Sequence, residues 1–372
     1  MIESNLNQEA MMDAYEKLRR ILHTNSVGAP QSDSFQEILR ILFTPEEVEI
    51  ALGMTFVPKS VDKIAEASGG ISPEKVTKLC ESMANKGIVF SREKNGEMGY
   101  ALLPTIPGLF EFPFTTGGGT PMHDRLAKLW KQYHREALGN EFAGSQTPVM
   151  RVIPVQKTVR TQNQVLPYEI LTTMMESTQT VAVIQCACRT SVAACDAPRD
   201  TCLIFDNTAR FLVDRKLARE VTKQEAQEIL IRAEEAALIH TCNNSQDRLT
   251  AICNCCPCCC TALRGLTQLE NPNAFAKSRW QAKVDKDLCS GCATCQDERC
   301  RLGAIQVQED RARVNLERCI GCGLCVSTCP TGALSMVQRE DAAVPPATIP
   351  ELGMRVLTEK GRLQEYMELN KK

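Results

Sequence analysis

Two cysteine runs near the C-terminal end restrict this chain more than any other feature. Cys289-x-x-Cys292-x-x-Cys295 is followed by Cys300, and Cys319-x-x-Cys322-x-x-Cys325 by Cys329-Pro330. Three thiols at two-residue intervals come from one tight wrap of backbone, and Gly291 and Gly321 permit the turns it requires. The chain holds 20 cysteines, and all but Cys80 fall between Cys186 and Cys329. Met1 to Met12 are polar and acidic, unlike a secretory or transit peptide, so a secreted disulfide scaffold is not expected and the cytoplasm is the expected location. That many thiols in a reducing compartment point to metal.

An internal repeat marks the same region. Ala282-Lys283-Val284-Asp285 before Cys289 is echoed by Ala312-Arg313-Val314-Asn315 before Cys319, and Gly303-Ala304-Ile305 by Gly332-Ala333-Leu334. Each half reads as strand, cysteine loop, helix and strand. Two four-cysteine zinc sites would also use eight thiols, but zinc ribbons rarely show two Cys-x-x-Cys steps in a row.

The spacing resembles that of the bacterial two-cluster ferredoxins. The resemblance implies two 4Fe-4S cubanes, one on Cys289, Cys292, Cys295 and Cys329, the other on Cys319, Cys322, Cys325 and Cys300. One departure stands out. Four residues rather than three separate Cys295 from Cys300, and Arg301 replaces the usual proline, which could tilt Cys300.

A second thiol set has no place in a ferredoxin. Cys186-x-Cys188-Arg189, Cys195 and Cys202 form one group; Cys253-Asn254-Cys255-Cys256-Pro257-Cys258-Cys259-Cys260 forms another, with Cys242 between. Adjacent cysteines cannot all reach one cubane, so some of the second group must be ligands of another site, thiols behind the ligands or packing groups. The preferred reading is a further iron–sulfur cluster on Cys186, Cys188, Cys195 and Cys202 with help from Cys253, Cys255 or Cys256. A zinc site, a thiol redox pair and a reactive-thiolate substrate site are the alternatives. Arg189 would hydrogen-bond cluster sulfur or a bound anion, or lie on the surface. His240 and Cys80 are read as structural.

The chain has 372 residues and a formal net charge of −2, so several compact units are expected and no strongly basic nucleic-acid surface. No apolar run approaches the ~20 residues of a membrane span. The expected class is α+β in three units. Residues 1–108 form a winged-helix-like domain, with helices over Phe35 to Met54, Val61 to Ala67 and Glu74 to Lys86, and a wing from Ile88 to Ser91 and Tyr100 to Leu103. Leu109 to Gly119 is expected to be a linker. Residues 120–275 form a cysteine-rich α+β domain, 278–340 the two-cluster ferredoxin domain, and 341–372 a linker and a helix over Met354 to Leu369. Thr222 and Glu225 suggest a capping box.

From the winged helix to the ferredoxin repeats, the chain resembles 4Fe-4S dicluster proteins common in anaerobic bacteria, which implies cluster binding and electron transfer. No G-x-G-x-x-G, P-loop or catalytic acid–base pattern is present. The expected function is therefore an electron-transfer protein or oxidoreductase subunit served by redox partner proteins. Its rivals are a redox-responsive regulator placing the winged helix on DNA, and a reductase acting at the middle-domain thiols. The helix expected to read DNA carries Glu74, Lys75, Lys78, Glu81 and Lys86, a mixed face that favours docking over DNA.

Overall fold

The computed structural model describes residues 13–159 and 165–371. The N-terminal stretch from Met1 to Met12, on which the expected lack of a sorting signal rests, lies outside them. A helix over Ala14–His23 precedes two others, Asp33–Leu42 and Pro45–Ala51, where one was expected. The break has a local cause. Thr44 accepts from the Glu47 amide while the Glu47 carboxylate accepts from the Thr44 amide, and Pro45 has no N–H with which to continue the preceding helix. Helices Val61–Ala67 and Pro73–Asn85 follow; Ser60 makes no side-chain cap, whereas Ser72 accepts from the Lys75 amide. Strands β1 (Lys59–Ser60), β2 (Val89–Lys94) and β3 (Glu97–Leu102) form an antiparallel sheet in the order β1-β3-β2.

The first half of the segment expected to be a linker is core. Leu109, Phe110, Phe112 and Phe114 are all buried, and Phe110 meets Trp130 edge-on at 5.1 Å. Its closely spaced aromatic side chains remove more apolar surface from water than a tether could leave exposed. Trp130 belongs to helix Pro121–Tyr133, whose Tyr133 stacks on Phe35 at 4.7 Å.

The middle region is a six-stranded antiparallel sheet: β4 (Met150–Val152), β5 (Val181–Ile184), β6 (Cys202–Phe205), β7 (Arg219–Glu220), β8 (Ile239–Asn243) and β9 (Ala251–Cys255), in the order β4-β8-β9-β6-β5-β7. Both faces are covered. Val181, Val183, Leu203, Phe205 and Ile252 pack with Ala226, Ile229 and Leu230 of helix Lys223–Glu235. Ala182, Ile184, Cys202 and Ile204 join the core that continues into the N-terminal helices. Thr222 caps that helix by accepting from the Glu225 amide, but Glu225 pairs with Arg219 instead of completing the box.

In the C-terminal module β10 (Trp280–Val284) pairs with β13 (Leu334–Gln338) and β11 (Ile305–Gln308) with β12 (Arg311–Val314), so each repeat half lends a strand to each ribbon. The tail forms two helices, Ile349–Glu359 and Leu363–Lys371, divided at Gly361, whose φ of +69° ends the first. Lys360 and Arg362 bind the Glu141 carboxylate, and Tyr366 stacks on Phe56. No helix among the described residues is long and apolar enough to cross a membrane.

Candidate metal centres

In the C-terminal module Cys289, Cys292, Cys295 and Cys329 line a single hollow, so the last cysteine of the second repeat joins the loop of the first. Cys300 stands with Cys319, Cys322 and Cys325, close enough for its charge to raise the Cys322 and Cys325 thiols. Burial comes first among the causes and pushes Cys322 up to about 12. Thiols that resist ionisation when alone are stabilised as thiolates by a multivalent cation. Backbone donors already point at sulfur, from Ala304 to Cys300 at 3.3 Å and from Ala312 to Cys289 at 3.4 Å. Hollow, thiols and donors fit a 4Fe-4S cluster.

The extra residue between Cys295 and Cys300 does not displace a ligand. Cys295–Arg299 winds as one π turn, closed by the Cys300 amide on the Cys295 carbonyl at 2.9 Å, which absorbs one residue without lengthening the loop. It also turns Arg299 inward, where it donates to the carbonyls of Glu234, Glu235 and Leu324. With the Val155 amide on the Cys322 carbonyl, these bonds fix the Cys319 loop against the middle sheet. Cys292 is exposed, whereas Cys319 and Cys325 are buried.

The middle thiols separate into two sets that differ from the expected one. Six form a closed ring, each neighbouring the next: Cys186, Cys188, Cys260, Cys255, Cys253, Cys202 and back to Cys186. All six line one apolar cavity. Strand geometry builds half of it. Cys253 and Cys255 are two apart on β9 and share a face, and the β6–β9 register carries Cys202 to the same face. Cys186 immediately precedes helix Ala187–Val192 and Cys188 lies in its first turn, and Cys260 immediately precedes helix Thr261–Gln268. Cys242 pairs with Ile252 and points to the opposite face, into the packing against helix Lys223–Glu235.

Cys195, expected to join Cys186 and Cys202, lies instead with Cys256, Cys258 and Cys259, and the four sulfurs are all within 4.8 Å of one another. Cys256 also borders the cavity of the ring, so it stands between the two sets.

Residues 312–335, which include Cys319, Cys322, Cys325 and Cys329, match the 4Fe-4S binding domain family. The chain is an iron–sulfur protein. Over 71 residues it is 35% identical to a component of the ion-translocating oxidoreductase complex of Methanosarcina acetivorans, a stretch covering 18% of this chain and 26% of that protein. It thus spans about a quarter of that relative's length. No solved structure matches it.

Two arginines of this iron–sulfur protein are buried beside the middle thiols. Arg189 is 0% exposed, so it is no surface residue; it donates to the Asn254 carbonyl at 2.7 Å and to Thr201 Oγ1, and its Nη1 lies 4.0 Å from Cys256 Sγ. Hydrogen bonding from Cys259 holds the Cys256 thiol down at about 5 against burial, and Arg189 adds to the effect. Arg264 is 3% exposed and faces Cys188, Cys260 and Cys259. Neither guanidinium pairs with a carboxylate among the described residues, and each leaves Nε unbonded. Buried cations without carboxylates require another anion, and thiolates supply it. Asn254, between the ring cysteines of β9, binds His240 and the Thr201 carbonyl, so His240 is structural. Sequence reasoning missed Cys260, Cys258, Cys259 and Arg264; the Cys253-x-Cys255 strand spacing was a signal available for the ring.

Proposed function

We propose that this protein transfers single electrons as a component of an oxidoreductase system, through two 4Fe-4S clusters in the C-terminal module and a third iron–sulfur centre on the six-thiol ring. The observation that carries the reading is the hollow shared by Cys289, Cys292, Cys295 and Cys329, beside the second set of Cys319, Cys322, Cys325 and Cys300. Bound clusters would supply one-electron chemistry; the chain sets their exposure and hydrogen bonding. Exposed Cys292 makes the first site the entrance for a redox partner, and the buried second site, fixed to the middle sheet, leads inward.

The N-terminal unit is proposed as a winged-helix-like docking module. Glu81 of helix Pro73–Asn85 is already engaged by Arg215 and Tyr100, which favours an intramolecular role for that helix over DNA reading. The test is anaerobic purification, iron and sulfide counts per chain, and electron spin resonance of the reduced protein. About twelve irons or more, with signals beyond two interacting ferredoxin clusters, are expected. About eight would remove the third centre, and four or fewer would overturn the two-cluster reading.

A further inference from the structure

The geometry points to a second kind of metal in this protein: we propose that Cys195, Cys256, Cys258 and Cys259 hold one zinc ion, separate from every iron–sulfur centre. The argument is the size of the sulfur cage. A tetrahedral zinc with Zn–S bonds of about 2.3 Å places its sulfurs about 3.8 Å apart. Cys195 Sγ lies 3.7 Å from Cys256 Sγ and 3.9 Å from Cys259 Sγ, and all four sulfurs fall within 4.8 Å of one another. A cubane carries its thiolates outward from four separate irons, so they must stand farther apart than ligands around one ion. These distances also exceed the ~2.05 Å of a disulfide bond.

Two surroundings agree with a closed structural site. Four thiolates on a divalent ion leave a net charge of −2, and Arg189, wholly buried, lies against Cys256. All four ligands come from the protein, which leaves no open position for substrate.

The position of the site gives it a structural role. Residues 193–198 belong to no helix or strand, yet they connect Cys186 and Cys188 to Cys202. A metal bridging Cys195 to the Cys256–Cys259 turn fixes this loop to the segment that supplies Cys253, Cys255 and Cys260. Zinc, which has no redox chemistry, would do so in every oxidation state of the neighbouring clusters.

The test uses the full-length protein, produced with iron and zinc both supplied and purified without oxygen. Elemental analysis should find one zinc per chain, and X-ray absorption at the zinc edge should find four sulfur neighbours at about 2.3 Å. The Cys258→Ser variant should lose that zinc while keeping its iron and its electron spin resonance signals. Wild-type protein without zinc would overturn the proposal even if the variant fails to fold, and so would loss of iron rather than zinc from the variant. Iron counts too low for the proposed clusters, with the zinc present, would count against the electron-transfer reading and leave the zinc site standing.

Discussion

The two thiol-rich regions of this protein gather their ligands in opposite ways. In the C-terminal module each loop contributes three of its own cysteines, glycine allows the turn, and the sulfurs stand around a hollow open to solvent on one side. In the middle region six ring thiols come from two strands and two helix starts; they neighbour one another and are backed by two buried arginines that pair with no carboxylate among the described residues. The first kind of site is built mainly by a local loop, completed by one cysteine of the other repeat. The second exists only after the sheet has assembled, and its charges must be balanced inside the protein.

The strongest challenge to that contrast is Arg189→Ala. Removing a wholly buried cation from among thiolates should cost about 3–5 kcal/mol and strip metal from the middle region alone. Denaturant unfolding and iron counts would check it; ferredoxin signals should survive, and their loss would show that the two regions are not separate.

Within the C-terminal module, Gly321→Ala should do more damage than Gly332→Ala. Both glycines have positive φ, but a Cβ on Gly321 would lie 1.9 Å from the Trp280 carbonyl oxygen, whereas one on Gly332 meets nothing within 4 Å. The alanine at 321 should abolish the buried cluster, and the alanine at 332 should cost only about 1 kcal/mol of backbone strain. Iron content and thermal unfolding distinguish them, and equal effects would deny that the buried loop is the more tightly held.

Away from the metals, Glu141 provides a control. Burial would raise its carboxyl, but the Arg362 hydrogen bonds and the Lys360 charge overcome this and bring it from 4.5 to about 2. A depressed carboxylate contributes stability that is full above about pH 4.5 and is lost as pH falls toward 2, here of order 3 kcal/mol. Glu141→Gln should remove that acid dependence in unfolding measurements and leave the iron content unchanged.

A smaller effect than at Arg189 is expected at the seam between the two regions. Arg299→Ala deletes three charged donations to carbonyls and should cost about 1–3 kcal/mol, seen as faster proteolysis between the module and the middle sheet with both clusters retained. A lost cluster would mean that the π turn itself depends on Arg299.

Much of this was legible in the sequence because the signals were local. The Cys-x-x-Cys runs, the repeated strands and helix Val61–Ala67 follow from residues within one turn or one loop. The misreadings share a cause. Leu109 to Gly119 resembled a linker by its Pro and Gly content, yet its Phe residues found partners such as Trp130 in a helix that begins later in the chain. The break at Thr44 was hidden under an apolar pattern that runs through two helices with one core.

The same boundary separates what the sequence determined from what only the tertiary structure decided. The sequence alone determined that this is a metal protein with a two-loop cysteine module, because ligands with two residues between them are brought together by the loop they lie on. Only the assembled sheet could divide the middle thiols into a ring of six and a tight set of four and turn Cys242 away. Those assignments depend on strand register and side-chain parity, where a shift of one residue carries a sulfur to the opposite face.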